Sequence, residues 1–110
     1  MIQQEISATD REQFFGTFSR LHDGAFITLR VNAREEAVRK PFHGVSWEDG
    51  GLVVHAGSDS YRVFHVAKVR LEQTDEGADV AIAITSDDGT RTEVRFQSPV
   101  RADLLDPAVE

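Results

Sequence analysis

The segment of the chain that decides the fold is residues 61–98, which read YRVFHVAKVRLEQTDEGADVAIAITSDDGTRTEVRFQS. Apolar residues alternate along it with charged or small ones, as expected for strands that are buried on one face. The alternating apolar positions are Ala67, Val69, Leu71, Val80, Ile82, Ile84, Val94 and Phe96. Two acidic turns, at residues 75–77 and 87–89, each end in glycine, which tolerates the positive φ of tight turns. The segment therefore predicts an antiparallel meander of three strands.

The composition of the chain is that of one ordinary globular domain. It has 110 residues, of which 40% are hydrophobic and 28% charged, enough for a single core. We expect residues 1–110 to form one domain whose ends, 1–8 and 99–110, are loosely attached, although residues 1–8 could also add an edge strand. Because cysteine is absent, disulfide frameworks, Cys-ligated zinc sites and thiol nucleophiles are excluded.

The charge of the chain bears on its partners and location. The chain has 12 basic and 19 acidic residues, which gives a net charge of -7. Binding to nucleic-acid backbones depends on an excess of Lys and Arg, so we expect no nucleic-acid partner. No apolar run approaches the roughly 18 residues of a membrane span, and the first residues lack the pattern of a signal peptide. The sequence thus predicts a cytoplasmic protein without a membrane partner.

A helix is predicted over residues 10–22. Thr9 and Glu12 fit a capping box at its start, and Gly24 stops it. The side chains of Phe14, Phe15, Phe18 and Leu21 form one apolar stripe. His22 is assigned to the helix terminus, where a cation is favourable against the helix dipole.

The remaining strands complete a small, strongly twisted sheet. Strands are predicted at residues 25–33, 42–47 and 52–56. Residues 34–40 are either a hairpin turn or the exposed start of the next strand, and Pro41 confines that stretch to a strand end or a sheet edge. Disturbed alternation at residues 64–66 predicts a bulge or sharp bend. The predicted fold is α+β, mainly β: an N-terminal helix followed by a strongly bent five- to six-stranded antiparallel sheet that forms a partial barrel.

Two resemblances add to this prediction. The segments FFGTFSRLHDG and KVRLEQTDEGADVAIAITSDDGTRTEVRFQSP resemble a small, mostly bacterial family known only as a domain of unknown function. That resemblance implies a shared fold and no activity. The order of elements is also similar to Sm-like RNA-binding barrels, in which loop motifs with Asn and basic or aromatic residues bind uridine bases. The single Asn here is Asn32, followed by Ala33 and Arg34, and a second basic loop motif is missing.

Histidines are the first candidates for chemistry. His43, His55 and His65 lie on predicted strands and would form a three-histidine metal site if those strands were neighbours. Neither HxH nor HExxH occurs, and half-buried imidazoles bonded to the backbone are the favoured interpretation. The paired acids all sit at predicted turns, where solvation is favoured over catalysis. We therefore expect no metal and no cofactor, and we do not assign an enzyme activity.

The outer face of the central meander strand is the predicted interaction surface. Ala81 and Ala83 point away from the core, between Lys68 and Arg70 on one side and Arg95 on the other. Either the stems of the long side chains cover the alanines, or another protein packs onto them.

Trp47, the only tryptophan, either anchors a partner or closes the end of the barrel. The leading hypothesis for the whole chain is a non-catalytic module that binds a protein partner or forms a homo-oligomer. The alternatives are a nucleic-acid-binding Sm-like barrel and a small metal-dependent hydrolase that uses the histidine cluster.

Overall fold

The structure is a computed structural model that describes residues 2–48 and 51–100, with only the backbone described for residues 99 and 100. The helix and strands are β1 (Ile2–Glu5), α1 (Arg11–Leu21), β2 (Phe26–Val31), β3 (Arg34–Glu48), β4 (Gly51–Ala56), β5 (Asp59–Val63), β6 (Val66–Gln73), β7 (Asp79–Ser86) and β8 (Arg91–Val100). The eight strands form one antiparallel sheet in the order β1-β6-β7-β8-β2-β3-β4-β5. The sheet is not closed, since β1 and β5 are its two end strands. The predicted mainly β fold with one helix is confirmed, whereas the predicted number of strands is too low.

Three segments carry strand structure that the sequence left open or joined into one strand. β1 precedes the helix and pairs with β6, with Ile2 opposite Gln73. The alternative of an edge strand within residues 1–8 is therefore confirmed. Of the two alternatives for residues 34–40, the exposed start of the next strand is confirmed, because these residues form the first half of β3. Residues 61–73 are divided between β5 and β6, because the chain breaks its extended course at His65, where φ is +51°. The segment quoted first therefore contributes to four strands rather than three.

The long strand β3 joins the two halves of the sheet. Its first part pairs with β2 as far as the Phe26–Pro41 pair, and its second part pairs with β4 from Phe42 onward. Pro41 thus lies inside the strand, not at its end. A residue without an N–H suits the position where one ladder ends and the next begins. Arg39, with φ +55°, and Gly44, with φ +134°, lie on either side of this handover and mark local irregularities of the strand.

The helix agrees with its prediction in extent but not in its cap. The cap positions are Asp10 and His22, so the predicted bounds are confirmed. The capping box of Thr9 and Glu12 is wrong, because no side chain caps the first turn. At the other end Gly24, with φ +91°, donates its N–H to the carbonyl oxygen of Phe42 at 2.6 Å. This bond ties the end of the helix to β3.

The core lies between the helix and one face of the sheet. Phe15 and Phe18 are buried, and the ring of Phe18 contacts Phe42 of β3 and Phe96 of β8 at centroid distances of 5.8 and 5.7 Å. Strands from both halves of the sheet share this one core. Among the described residues no helix is long and apolar enough to cross a membrane. The sequence predictions for Asp49, Gly50 and residues 101–110 fall outside the part of the chain that is described.

Candidate functional site

The alanines of the predicted interaction surface are covered by their own neighbours. Ala81 lies in register between Glu72 and Arg95, and Ala83 lies between Arg70 and Glu93. Both alanines are buried, Ala81 completely. An Arg95 Nη2 hydrogen bond to Glu72 Oε2 at 3.4 Å spans Ala81 from one neighbouring strand to the other. The accessible surface here therefore consists of charged side chains, and a partner for it stays a prediction.

Ion pairs neutralise much of that charged surface. Arg95 donates from Nε to Glu93 Oε1 at 3.1 Å, and this hydrogen bond raises the pKa of Arg95 above its ordinary value. Glu72 is buried and also faces Arg91 at 3.7 Å. Lys68, by contrast, is exposed opposite Thr85. The face is polar and largely paired with itself.

Trp47 packs against the protein rather than standing free. It lies on β3 opposite Leu52, half-buried, and its ring stacks on Phe15 with a centroid distance of 6.3 Å. The contact extends the aromatic core toward the end of β3.

The three histidines of the predicted metal site have separate surroundings. His43 Nδ1 lies 3.2 Å from Asp23 Oδ1 on the surface. His55 bonds Ser46 and Ser60 through its two ring nitrogens, each at 3.1 Å. His65 lies in the crossing between β5 and β6. Within residues 2–48 and 51–100, no group of three or more His, Cys, Asp or Glu side chains is arranged to hold a metal ion.

The fourth histidine, His22, forms a buried pair that the sequence interpretation missed. It is 1% exposed, and its Nε2 donates to Asp79 Oδ2 at 2.7 Å. Gln73 Nε2 donates to the other carboxylate oxygen at 2.9 Å. The imidazole lies between the rings of Phe18 and Phe96, at centroid distances of 4.5 and 4.9 Å. The backbone of His22 does cap the helix, but its side chain turns into the core.

One atom of this pair has unmet hydrogen-bonding capacity. Among the described residues, Nδ1 of His22 is the only buried side-chain nitrogen or oxygen without a hydrogen-bond partner. Nε2 is the ring nitrogen that bonds Asp79, so the hydrogen-bonding capacity of Nδ1 stays unused. Unpaired buried polar atoms are rare and costly in folded proteins. This unpaired atom sets His22 apart from the other buried polar residues of the described chain.

A second unusual feature is the surface around Phe64, where the chain crosses from β5 to β6. Phe64 is 62% exposed. The next residue, His65, holds a positive φ that is uncommon for a residue other than glycine, and its carbonyl oxygen accepts a hydrogen bond from the Asp87 N–H at 2.8 Å. Such conformations cluster at functional sites. Phe64 is therefore held out from the protein by a constrained backbone.

A depression of about 450 Å³ lies beside Phe64 and completes this surface. Val31, Val63 and Thr92 belong to its lining, and Arg62, Asp87 and Asp88 contribute charge to it. A second depression of about 380 Å³ lies on the side of Glu48 and Leu52. The Phe64 surface, meaning Arg62, Phe64, His65, Asp87, Asp88 and the first depression, thus combines an apolar protrusion with a hollow.

The Phe64 surface carries both signs of charge. The Thr90 N–H donates to Asp88 Oδ1 at 2.9 Å, and this bond lowers the pKa of Asp88 below its ordinary value of 3.8. Asp88 is therefore fully ionised at neutral pH. The side chain of Arg62 is 63% exposed on the same surface.

Asn32, the residue that carries the Sm-like resemblance, has a structural role. It lies at φ +51° in the turn between β2 and β3. Its Oδ1 accepts from the Arg91 N–H at 3.0 Å, and its own N–H donates to the Arg91 carbonyl oxygen at 2.8 Å. The side chain ties this turn to β8.

No protein-family model matches the chain, and neither a curated protein nor a solved structure matches it. The two resemblances drawn from the sequence therefore stay resemblances. The positions of the described side chains are the basis for a proposed function.

Proposed function

We propose that this chain is a non-catalytic protein-interaction module that self-associates as a two-fold dimer through the Phe64 surface. The observation that carries the proposal is a phenylalanine ring, 62% exposed, beside a depression of about 450 Å³. Exposed aromatic side chains are enriched among the residues that dominate binding energy at interfaces.

The shape of the surface favours a second copy of the chain as the partner. In a two-fold interface the same patch is used by both subunits, so it must be complementary to itself. A protrusion next to a hollow meets this requirement, because Phe64 of each copy would enter the hollow of the other. There it would contact Val31 and Val63, which line the depression.

The charges fit the same arrangement. Arg62 and the acidic pair of Asp87 and Asp88 line the same depression. A two-fold axis near Phe64 would bring Arg62 of one copy toward the acids of the other. Such opposite charges at an interface rim add specificity and faster association more than affinity.

Sedimentation velocity over a wide concentration range tests the proposal. The unchanged chain is expected to form dimers, and Phe64→Ser is expected to weaken dimerisation at least about tenfold, the effect of losing a dominant interface residue. Phe64 is mostly exposed, so thermal unfolding should hardly change. Phe26→Ser is the matched control, since Phe26 is 55% exposed elsewhere and should leave the dimer intact.

Reversed charges give a second readout. Arg62→Glu should weaken the dimer, and the double variant with Asp88→Arg should recover part of the loss. A chain that is monomeric at every concentration contradicts the proposal. So does a dimer that responds to Lys68→Glu but not to Phe64→Ser, which would favour the meander face predicted from the sequence.

A further inference from the structure

A cavity of about 410 Å³ lies between the second half of α1 and the hairpin of β6 and β7. Its walls include the apolar side chains of Phe14, Phe18, Leu21 and Leu71. Its polar lining includes His22 and Asp79, the buried pair described above. The volume falls within the range of small-molecule sites, which combine mostly apolar walls with a few placed polar groups.

The buried pair offers the cavity hydrogen-bond acceptors. Asp79 accepts one bond from His22 and one from Gln73, which leaves about two of its roughly four acceptor positions open. Gln73 uses its amide nitrogen within the protein, toward Asp79 and the Gly77 carbonyl oxygen. The open acceptor positions of Asp79 therefore favour a ligand that donates hydrogen bonds.

The charge around the cavity favours some hydrogen-bond-donating ligands over others. Asp79 and Glu76 both line it, and none of the described lining residues is Lys or Arg. Glu76 is exposed and adds negative charge near the entrance, whereas Asp79 is buried. An anion would be opposed by both carboxylates, and a cation would be attracted by them.

We infer that this cavity binds a small hydrophobic amine. Its ammonium group would donate to Asp79, and its apolar body would pack against Phe14, Phe18 and Leu71. The rings of Phe14 and Phe18 stack with a centroid distance of 5.5 Å, and aromatic faces also attract cations. The site is separate from the Phe64 surface, so it stands or falls independently of the dimer.

Titrations followed by ¹H–¹⁵N NMR test the inference with three probes of matched size. Phenethylamine carries an ammonium group, 2-phenylethanol is neutral, and 3-phenylpropionate is an anion. Phenethylamine is expected to give saturable shifts at His22, Leu71 and Gly77, which line the cavity. The anion is expected to bind at least about tenfold more weakly, because its charge is desolvated beside two carboxylates. Equal binding of all three probes, or shifts confined to other surfaces, would overturn the inference.

Variants separate the charge from the shape of the cavity. Asp79→Asn removes the buried charge with little change of volume and should weaken phenethylamine binding about tenfold or more. The matched control Asp59→Asn, at an exposed acid on β5, should leave binding unchanged. If circular dichroism shows that Asp79→Asn does not fold, Glu76→Lys provides the test at an exposed position. It should weaken the amine and strengthen the propionate, and the absence of both effects contradicts the inference.

Discussion

His22 and His43 each face an aspartate, but in opposite surroundings. The His22 and Asp79 side chains are 0% and 8% exposed, whereas those of His43 and Asp23 are 48% and 65% exposed. Exposed pairs of this kind contribute about 0–1 kcal/mol to stability, because water screens them and the side chains lose entropy. A buried pair behaves differently, since each partner depends on the other for its hydrogen bond. A His–Asp pair therefore contributes very differently to stability when it is buried and when it is exposed.

A double-mutant cycle should reveal that dependence. Asp79→Leu leaves the Nε2–H of His22 buried without an acceptor and should lower the free energy of unfolding by about 1–3 kcal/mol. His22→Leu leaves a buried carboxylate with Gln73 as its remaining side-chain donor and should cost about 3 kcal/mol. The double variant should cost clearly less than the sum, because no polar partner is left behind.

Urea unfolding measures all three variants, with His43→Leu as the exposed counterpart. That control should change the free energy of unfolding by no more than about 0.5 kcal/mol. Strictly additive costs in the buried pair would show that His22 and Asp79 do not depend on each other.

Half of this pair could be predicted from the sequence. His22 follows Phe18 by four residues, which places it on the apolar stripe of the helix. Because an imidazole can carry a positive charge, the sequence instead favours a place for His22 at the helix terminus. That interpretation describes only the backbone of His22. Asp79 could not be predicted, because it lies 57 residues away and follows a turn whose acids are otherwise solvated. Burial of such a residue depends on which strand end meets the helix.

At the scale of elements, α1 lies close to β3 at Gly44. Ser19 Oγ donates to the Phe15 carbonyl oxygen at 2.6 Å and accepts from the Val45 N–H at 2.8 Å. A Cβ on Gly44 would lie 3.1 Å from the Ser19 Cβ, and its φ of +134° is unfavourable for residues with a side chain. Glycine is thus required both by the backbone and by the packed helix.

Gly44→Ala should therefore lower the free energy of unfolding by about 1–3 kcal/mol. Gly16→Ala is the matched control inside the helix, where a Cβ meets nothing within 4 Å. Alanine is the better helix former there and should raise stability by up to about 1 kcal/mol. Chemical denaturation measures the free energy of unfolding of both variants. If Gly44→Ala leaves it unchanged, the helix and the strand can move apart without loss of stability.

The elements that the sequence predicted well are those with one wet and one buried face. Strands β6 and β8 alternate clearly, because one row of each faces the core. For β1 and the first half of β3 the sequence leaves a strand as only one of two alternatives, since most of their side chains are exposed and they show no apolar period. Their strand conformation comes from backbone pairing with neighbours, which composition does not reveal.

At the scale of the whole molecule, the order of the strands departs from the order of the chain. β8 pairs with β2, and β1 pairs with β6, so segments far apart in sequence complete the sheet. Short connections by themselves favour pairing between strands that follow each other along the chain. Neither the pairing of β8 with β2 nor the edge strand β1 follows from a local pattern in the sequence. The cavity beside His22 depends on this assembly, since α1 and the β6–β7 hairpin line it together.

The positive charge of the molecule is dispersed among acids. Arg34 lies 2.9 Å from Glu36, Arg30 lies 3.6 Å from Glu35, and other Arg–Glu pairs follow the same pattern on β8 and β5. Each exposed pair adds little stability. Together they place acidic side chains beside these arginines, so that a phosphate backbone would meet both signs of charge at once.

We therefore predict that the protein does not bind nucleic acid at physiological salt. Its net charge is -7, and association with phosphate backbones draws on basic residues that release counterions. Asn32, the residue expected to read a base in an Sm-like barrel, uses its side-chain oxygen to hold Arg91. Fluorescence anisotropy with a labelled uridine-rich oligomer should show no submicromolar binding. Tight binding that Asn32→Ala abolishes, without loss of folding by circular dichroism, would contradict the prediction and favour the Sm-like alternative.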